Sequence, residues 1–209
     1  YPGRLVQCYD MDEIALTLEL VFATNRTALI CATIENKTQQ QKQIHLCWEG
    51  TIYQKFGTSD EEPNRFEMGT RLCPTQTGVK VTFETIRSRW NYLTSHENCF
   101  VIAHDIQVVT TVNEQGNAYQ SRTKNPVFLP AQGSFQIFET HSFTFTAEEA
   151  KTEQKKAAWI LQNGENVFLT SANRWEDYLQ KTFSGHEAEI SYRRAAVKAI
   201  ETSMTNWQS

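Results

Sequence analysis

The sequence has no long hydrophobic run: the stretch Ala28 to Ala32 is typical of its longest, far short of the ~18 residues a membrane-crossing helix needs. It has no block of Lys or Arg, and 20 basic residues against 24 acidic ones leave a formal charge of -4. Without a basic stripe there is no electrostatic footprint for a phosphate backbone, so nucleic acid is not an expected partner. Cys8, Cys31, Cys47, Cys73 and Cys99 form no CxxC and have no His at a ligand-like offset, so they are expected to be single buried thiols on strands and no metal site is expected. There is no Gly-rich phosphate loop of either the dinucleotide or the P-loop kind, so no cofactor is implied. Nor is there an HExxH or a Gly-x-Ser-x-Gly nucleophile elbow. A Ser-His-Asp or Cys-His triad can assemble from distant segments and stays open on these grounds alone.

What is present is a globular composition, 40% apolar and 11% aromatic over 209 residues. At roughly 150 residues per domain this is one large domain, or one domain with an appendage. The chain opens at Tyr1-Pro2-Gly3 with neither an initiator Met nor a charged-then-apolar leader, and is expected to be cut or processed from something longer.

From Arg4 to Phe145 apolar residues alternate sides, the signature of half-buried strands. The clearest run places Ile14, Leu16, Leu18, Leu20 and Phe22 on one face, expected to be core. Further strands are expected at Leu5 to Tyr9, Ala28 to Glu35, Gln43 to Trp48, Phe66 to Leu72, Val79 to Ile86, Cys99 to Ala103, Gln107 to Val112, Ala118 to Thr123 and Ser134 to Phe145. Roughly ten short strands separated by turn chemistry predict a mainly β, antiparallel sandwich over residues 1–145. At Thr146 the period changes to 3.6 and a helical linker begins, residues 146–209. Thr146-Ala147-Glu148-Glu149 fits a capping box, and Asn163-Gly164 fits an αL stop, giving a helix over Ala147 to Gln162. Phe168, Ala172, Trp175 and Leu179 form a second helical stripe; Ile190, Val197, Ile200, Met204 and Trp207 form a third, still running where the sequence stops.

The ordered series Leu20-Val21-Phe22-Ala23-Thr24-Asn25-Arg26-Thr27, Trp48-Glu49-Gly50, Gly78 to Phe83, Trp90-Asn91-Tyr92-Leu93-Thr94-Ser95, Arg174 to Leu179 and Val197 to Thr202 with Asn206-Trp207 resembles the N-terminal region of bacterial glycoside hydrolase family 63 α-glucosidases of the YgjK type. The resemblance covers nearly the whole chain. It implies a super-β-sandwich, then linker helices, then an (α/α)6 barrel that hydrolyses terminal α-linked glucose of oligosaccharides with inversion, using a carboxylic acid and a water-activating carboxylate. Both carboxyls belong to the barrel, past the position of Ser209, so no catalytic residue is assigned here. The partner implied is the barrel of the same polypeptide, and the implied location of that parent is the periplasm or cell surface. The first strands of the sandwich are expected to precede Tyr1.

Within the chain, Asp10-Met11-Asp12-Glu13 and Asp60-Glu61-Glu62 read as solvated turns, and Asn25-Arg26-Thr27 and Asn36-Lys37-Thr38 as polar turns. His45, His96, His104, His141 and His186 lie on separate segments. Trp90, flanked by Arg87, Arg89, Asn91 and Tyr92, is the candidate for stacking on a sugar ring. Trp175, Ile200, Met204 and Trp207 are the candidates for the interface with the barrel. The main reading is a non-catalytic accessory sandwich that braces the barrel; the alternative is a free-standing carbohydrate-binding module, and a structural or adhesive domain is weaker because no internal repeat is found.

The strand assignment is testable directly. Leu18→Asp places a charge on the expected core face and should cost several kcal/mol; an unchanged thermal midpoint would remove that face from the core.

Overall fold

A computed structural model describes residues 3–52, 70–83, 97, 99–183 and 190–205, with the side chains at 190–192, 201 and 203–205 outside the description. Trp90, Trp207, the Asp60 cluster, His96 and His186 lie outside the described residues.

Twelve strands are described: β1 Arg4–Asp10, β2 Ile14–Phe22, β3 Thr27–Asn36, β4 Lys42–Ile44, β5 Cys47–Thr51, β6 Thr70–Pro74, β7 Gly78–Phe83, β8 Cys99–His104, β9 Val108–Val112, β10 Ala118–Thr123, β11 Val127–Leu129 and β12 Ser134–Thr144. Three helices follow, α1 Ala147–Gln162, α2 Gly164–Phe183 and α3 Ile190–Thr205. A seven-stranded sheet runs in the order β1-β2-β3-β12-β8-β7-β6, every neighbour antiparallel. A three-stranded sheet, β5-β10-β9, and a two-stranded sheet, β11-β4, form the second layer. The expected antiparallel sandwich is the fold.

The large sheet buries both of its faces, against different things. Toward the small sheets, Leu72, Val79, Val81 and Ile102 pack with Val112 and Tyr119, while Ile34, Val127 and Leu129 pack with Ile14 and Leu16. Toward the helices, Val21 and Leu29, a direct cross-strand pair, pack with Ile160 of α1 and Val167 and Phe168 of α2. Strict alternation in β2 therefore reveals only one of two cores. Ile14 and Leu16 face the small sheets as expected and Leu18 is half-buried. Phe22, however, is 66% exposed, and the most buried residue of the strand is Val21, at 2%, on the opposite face.

Of the five thiols expected to be buried, only Cys31 and Cys99 are; Cys8 and Cys47 are exposed on the edge strands β1 and β5, and Cys73 is half-buried on the edge strand β6. Local chemistry explains the other departures. The run Gln43 to Trp48 divides into β4 and β5 because the two ends pair with different strands, β11 and β10; β11, only three residues long, gives no periodic signal. The capping box at α1 is displaced by one residue. Thr146 Oγ1 accepts from the Glu149 N–H at 3.1 Å, but the Glu149 carboxylate returns its bond to the Phe145 N–H at 2.7 Å and pairs with Arg26. The break between α1 and α2 is not an αL glycine. Asn163 has φ -126°, its carbonyl accepts from the Val167 N–H at 3.1 Å to start α2, and Gly164 is the first helical residue of α2, where a Cβ would overlap the Phe138 ring. Asn36 is more than a polar turn residue: fully buried, its Nδ2 donates to the Gln40 and Pro130 carbonyls, both at 2.8 Å, tying two loops together.

Because the helix-side core centres on Leu29, Leu29→Ala should cost about 3 kcal/mol, whereas Phe22→Ala should cost no more than about 1 kcal/mol. Urea midpoints of the two variants check the assignment; equal losses would contradict it.

Candidate functional site

Antiparallel pairing sets Glu139 of β12 directly opposite His104 of β8, and His141, two residues along β12, shares their face. From the opposite layer, Trp48 of β5 and Tyr119 of β10 approach the same group: the Trp48 and His104 rings lie 4.1 Å apart between centroids, and the charge on Glu139 is felt at Tyr119. The result is a polar cluster between the two layers of the sandwich.

His104 is 0% exposed. Its Nδ1 stands 3.3 Å from Glu139 Oε2, within electrostatic reach but off hydrogen-bond geometry, and its Nε2 has no partner. His141 Nε2 bonds Glu139 Oε1, and the His141 ring is edge-on to Phe100 at 5.6 Å. Burial by itself pushes the Glu139 carboxyl up; the two imidazoles outweigh burial and bring it down to about 2. Burial, with the charge on Glu139, pushes the Tyr119 hydroxyl up to about 12. A carboxyl held ionised to such acidity cannot donate a proton at neutral pH, so Glu139 is unsuited to general-acid chemistry. The cluster ties the layers through charge and ring contact.

Sequence reading left these histidines apart because 35 residues of chain separate β8 from the paired position on β12. The available signal was Glu139-Thr140-His141, which puts two polar residues on a strand face otherwise made of Phe135, Ile137 and Phe143.

A second buried carboxylate anchors α1. Glu153, 3% exposed, accepts from the hydroxyls of Thr24 and, at 2.7 Å, Thr27 in the β2–β3 hairpin, and Lys156 approaches it at 3.3 Å. Burial pushes this carboxyl up and the two hydroxyls and Lys156 bring it below its ordinary value. Beside it, a cleft of about 500 Å3 separates α1 from β8 and β12. Two of its hydroxyls are already engaged: Ser142 with Thr27 at 2.8 Å and Thr144 with Cys99 at 3.2 Å. At one end Asp105 accepts from the Phe138 N–H at 3.0 Å, yet burial pushes its carboxyl up. Among the described residues no group of His, Cys, Asp and Glu is arranged to hold a metal ion.

The residues singled out from sequence fall as follows. Trp90 and Trp207 lie outside the described residues. Trp175 is 6% exposed, edge-on to Tyr178 at 5.8 Å and covered by Gly3, whose φ of +73° folds the start of the chain so tightly against the indole that a Cβ there would overlap it. Ile200 is half-buried on α3, and Met204 lies on the same helix with its side chain outside the description. Among the described residues the exposed tryptophan is Trp159 of α1, 57% accessible; its neighbours Lys155 and Lys156 on a helix surface gave no pattern to mark it. The acidic turn Asp10 to Glu13 is solvated, with Lys37 2.8 Å from Asp10 and Lys42 2.7 Å from Glu13.

The fold is thus an antiparallel sandwich with helices docked on the outer face of its large sheet and a charge cluster between its layers. The family described as glucosidase YgjK, N-terminal, matches residues 1–176, and the chain belongs to that family. Similarity to solved structures is remote. A candidate kojibiose phosphorylase from the human microbiome aligns with 85% of this chain and 23% of its own, at 8% identity and a TM-score of 0.49. A polysaccharide lyase aligns with 69% of this chain and 22% of its own, at 8% identity and a TM-score of 0.42. A candidate aldose 1-epimerase of Escherichia coli aligns with 68% of this chain and 65% of its own, at 7% identity and a TM-score of 0.37. This chain thus spans less than a quarter of the phosphorylase and of the lyase.

The Glu139 cluster makes stability depend on pH with a definite sign. The unfolded chain binds the Glu139 proton near pH 4.5, the folded chain only near pH 2. The contribution, on the order of 3 kcal/mol, is therefore complete above about pH 4.5 and lost as the pH falls toward 2. Urea unfolding across this range should show the decline, and Glu139→Gln should flatten it; parallel curves for the two proteins would refute the assignment.

Proposed function

We propose that this chain is the non-catalytic N-terminal sandwich of an inverting α-glucosidase of glycoside hydrolase family 63, acting on terminal α-linked glucose of oligosaccharides, and that its task is to brace the catalytic (α/α)6 barrel of the same polypeptide. The observation that carries this reading is the family match through residue 176, which runs across both sandwich layers, all of α1 and more than half of α2. The helices bring large apolar side chains to the surface, Trp159 at 57% and Leu169 at 59% exposure, as a face that meets another domain requires.

In this reading the work divides by position. Inversion needs one carboxylic acid at the glycosidic oxygen and one carboxylate that activates water on the other face of the sugar, with room for that water between them. Both come from the barrel. The sandwich supplies rigidity: Glu139 holds His104 of the large sheet, whose ring meets Trp48 of the small one, and Glu153 and Glu149 pin α1 to the β2–β3 hairpin, so the helix face offered to the barrel is held in one orientation. The same proposal has the parent working in the periplasm or on the cell surface.

Proton NMR of the hydrolysis products tests the proposal. The whole polypeptide should release β-glucose first from an α-glucoside, and residues 1–209 alone, verified as folded by circular dichroism, should release none. Glucose release by the chain alone, or α-glucose as the first product of the whole, would refute it.

A further inference from the structure

A groove of about 490 Å3 lies between the β2–β3 hairpin, α1 and α2. Its wall is apolar, with Phe22, Ala23, Trp159, Ile160 and Val167, and two of these rings are largely open to water, Phe22 at 66% and Trp159 at 57%. Every charged residue on its lining is a cation: Lys155, Lys156 and Arg174. Lys156 is directed at Glu153; Lys155 and Arg174 are exposed and have no ion-pair partner among the described residues. A local concentration of unpaired positive charge beside bare aromatic surface, on a chain of net charge -4, runs against the character of the rest of the molecule.

We propose that this groove docks an apolar side chain flanked by carboxylates, presented by the catalytic portion of the same polypeptide outside residues 1–209. The apolar side chain covers Phe22 and Trp159, and the carboxylates meet Lys155 and Arg174. The assignment rests on the reading of the chain as a glucosidase's N-terminal sandwich. Charge selects this occupant over the others. A second copy docked two-fold through the same groove would set cations against cations, since such an interface is self-facing. A neutral sugar would leave both cations unpaired. An acidic, apolar-centred segment satisfies floor and rim together, and burying the open rings supplies the hydrophobic core that interfaces place inside a polar rim.

Zero-length carbodiimide cross-linking of the whole polypeptide, followed by peptide mass spectrometry, reads the contact directly. Lys155 is expected to be joined through an amide to an Asp or Glu outside residues 1–209, in a segment with apolar neighbours. Arg174→Glu should lower the yield of that cross-link severalfold by repelling the carboxylates, and Lys124→Glu, on a remote loop, should leave it unchanged. Cross-links from Lys155 confined to carboxylates within residues 1–209, or reaching only a second molecule in an isotope-mixed sample, overturn the proposal. The same preparation is assayed on an α-glucoside: an active enzyme lacking the cross-link removes the docking assignment alone, whereas a polypeptide without glucosidase activity removes the functional reading on which it rests.

Discussion

The register of β12 against its two neighbours is the constraint on which the rest depends. This strand pairs with β3 along nine residues, Ser134 opposite Glu35 to Ser142 opposite Thr27, and with β8 from Glu139 opposite His104 to Thr144 opposite Cys99. One face then carries Phe138, Thr140 and Ser142 toward the helices while the other carries Ile137, Glu139, His141 and Phe143 into the sandwich. A slip of one residue would exchange these sets. Glu139 would lose His104 and arrive on the face where Glu153 is already buried, and the Phe138 ring would leave the space that Gly164 keeps open for it. Both outcomes strand polar groups or open voids, so the register is enforced from each side of the sheet.

Three carboxylates turn that register into a rigid body. Glu139 works between β12 and β8 within the large sheet, Glu153 between α1 and the β2–β3 hairpin, and Glu149 between the start of α1 and Arg26. Arg26 also lies over the Phe145 ring, 4.4 Å from its centroid, where the last strand passes into the first helix. Each carboxylate is drawn below its ordinary pKa because its partners outweigh the desolvation that accompanies burial. They are spent on structure rather than on chemistry. In the proposed role this arrangement presents a fixed surface, which includes the groove bounded by Phe22 and Trp159.

Much of the architecture was legible because period and punctuation are local. The alternation in β2 and β10 and the capping residues of α1 mark their spans to the residue, Ile14–Phe22, Ala118–Thr123 and Ala147–Gln162. Less legible was which face is buried where. In β3 the buried positions shift from Thr27, Leu29 and Cys31 to Ile34 and Asn36, because the helices cover one face at one end and the small sheets cover the opposite face at the other. No pattern within a single strand announces what will be laid over it.

The site followed the same division. The sequence determined the strand content and the helical tail, since both are written in spacing along the chain, and its ordered series of motifs carried the family resemblance. Only the tertiary structure decided that Glu139, His104 and His141 form one charged group, that Trp175 is enclosed while Trp159 is bare, and that Lys155 and Arg174 flank the same apolar groove. These are relations between side chains brought together by strand pairing and helix docking. Burial and charge act through space, and the distance along the chain does not measure them.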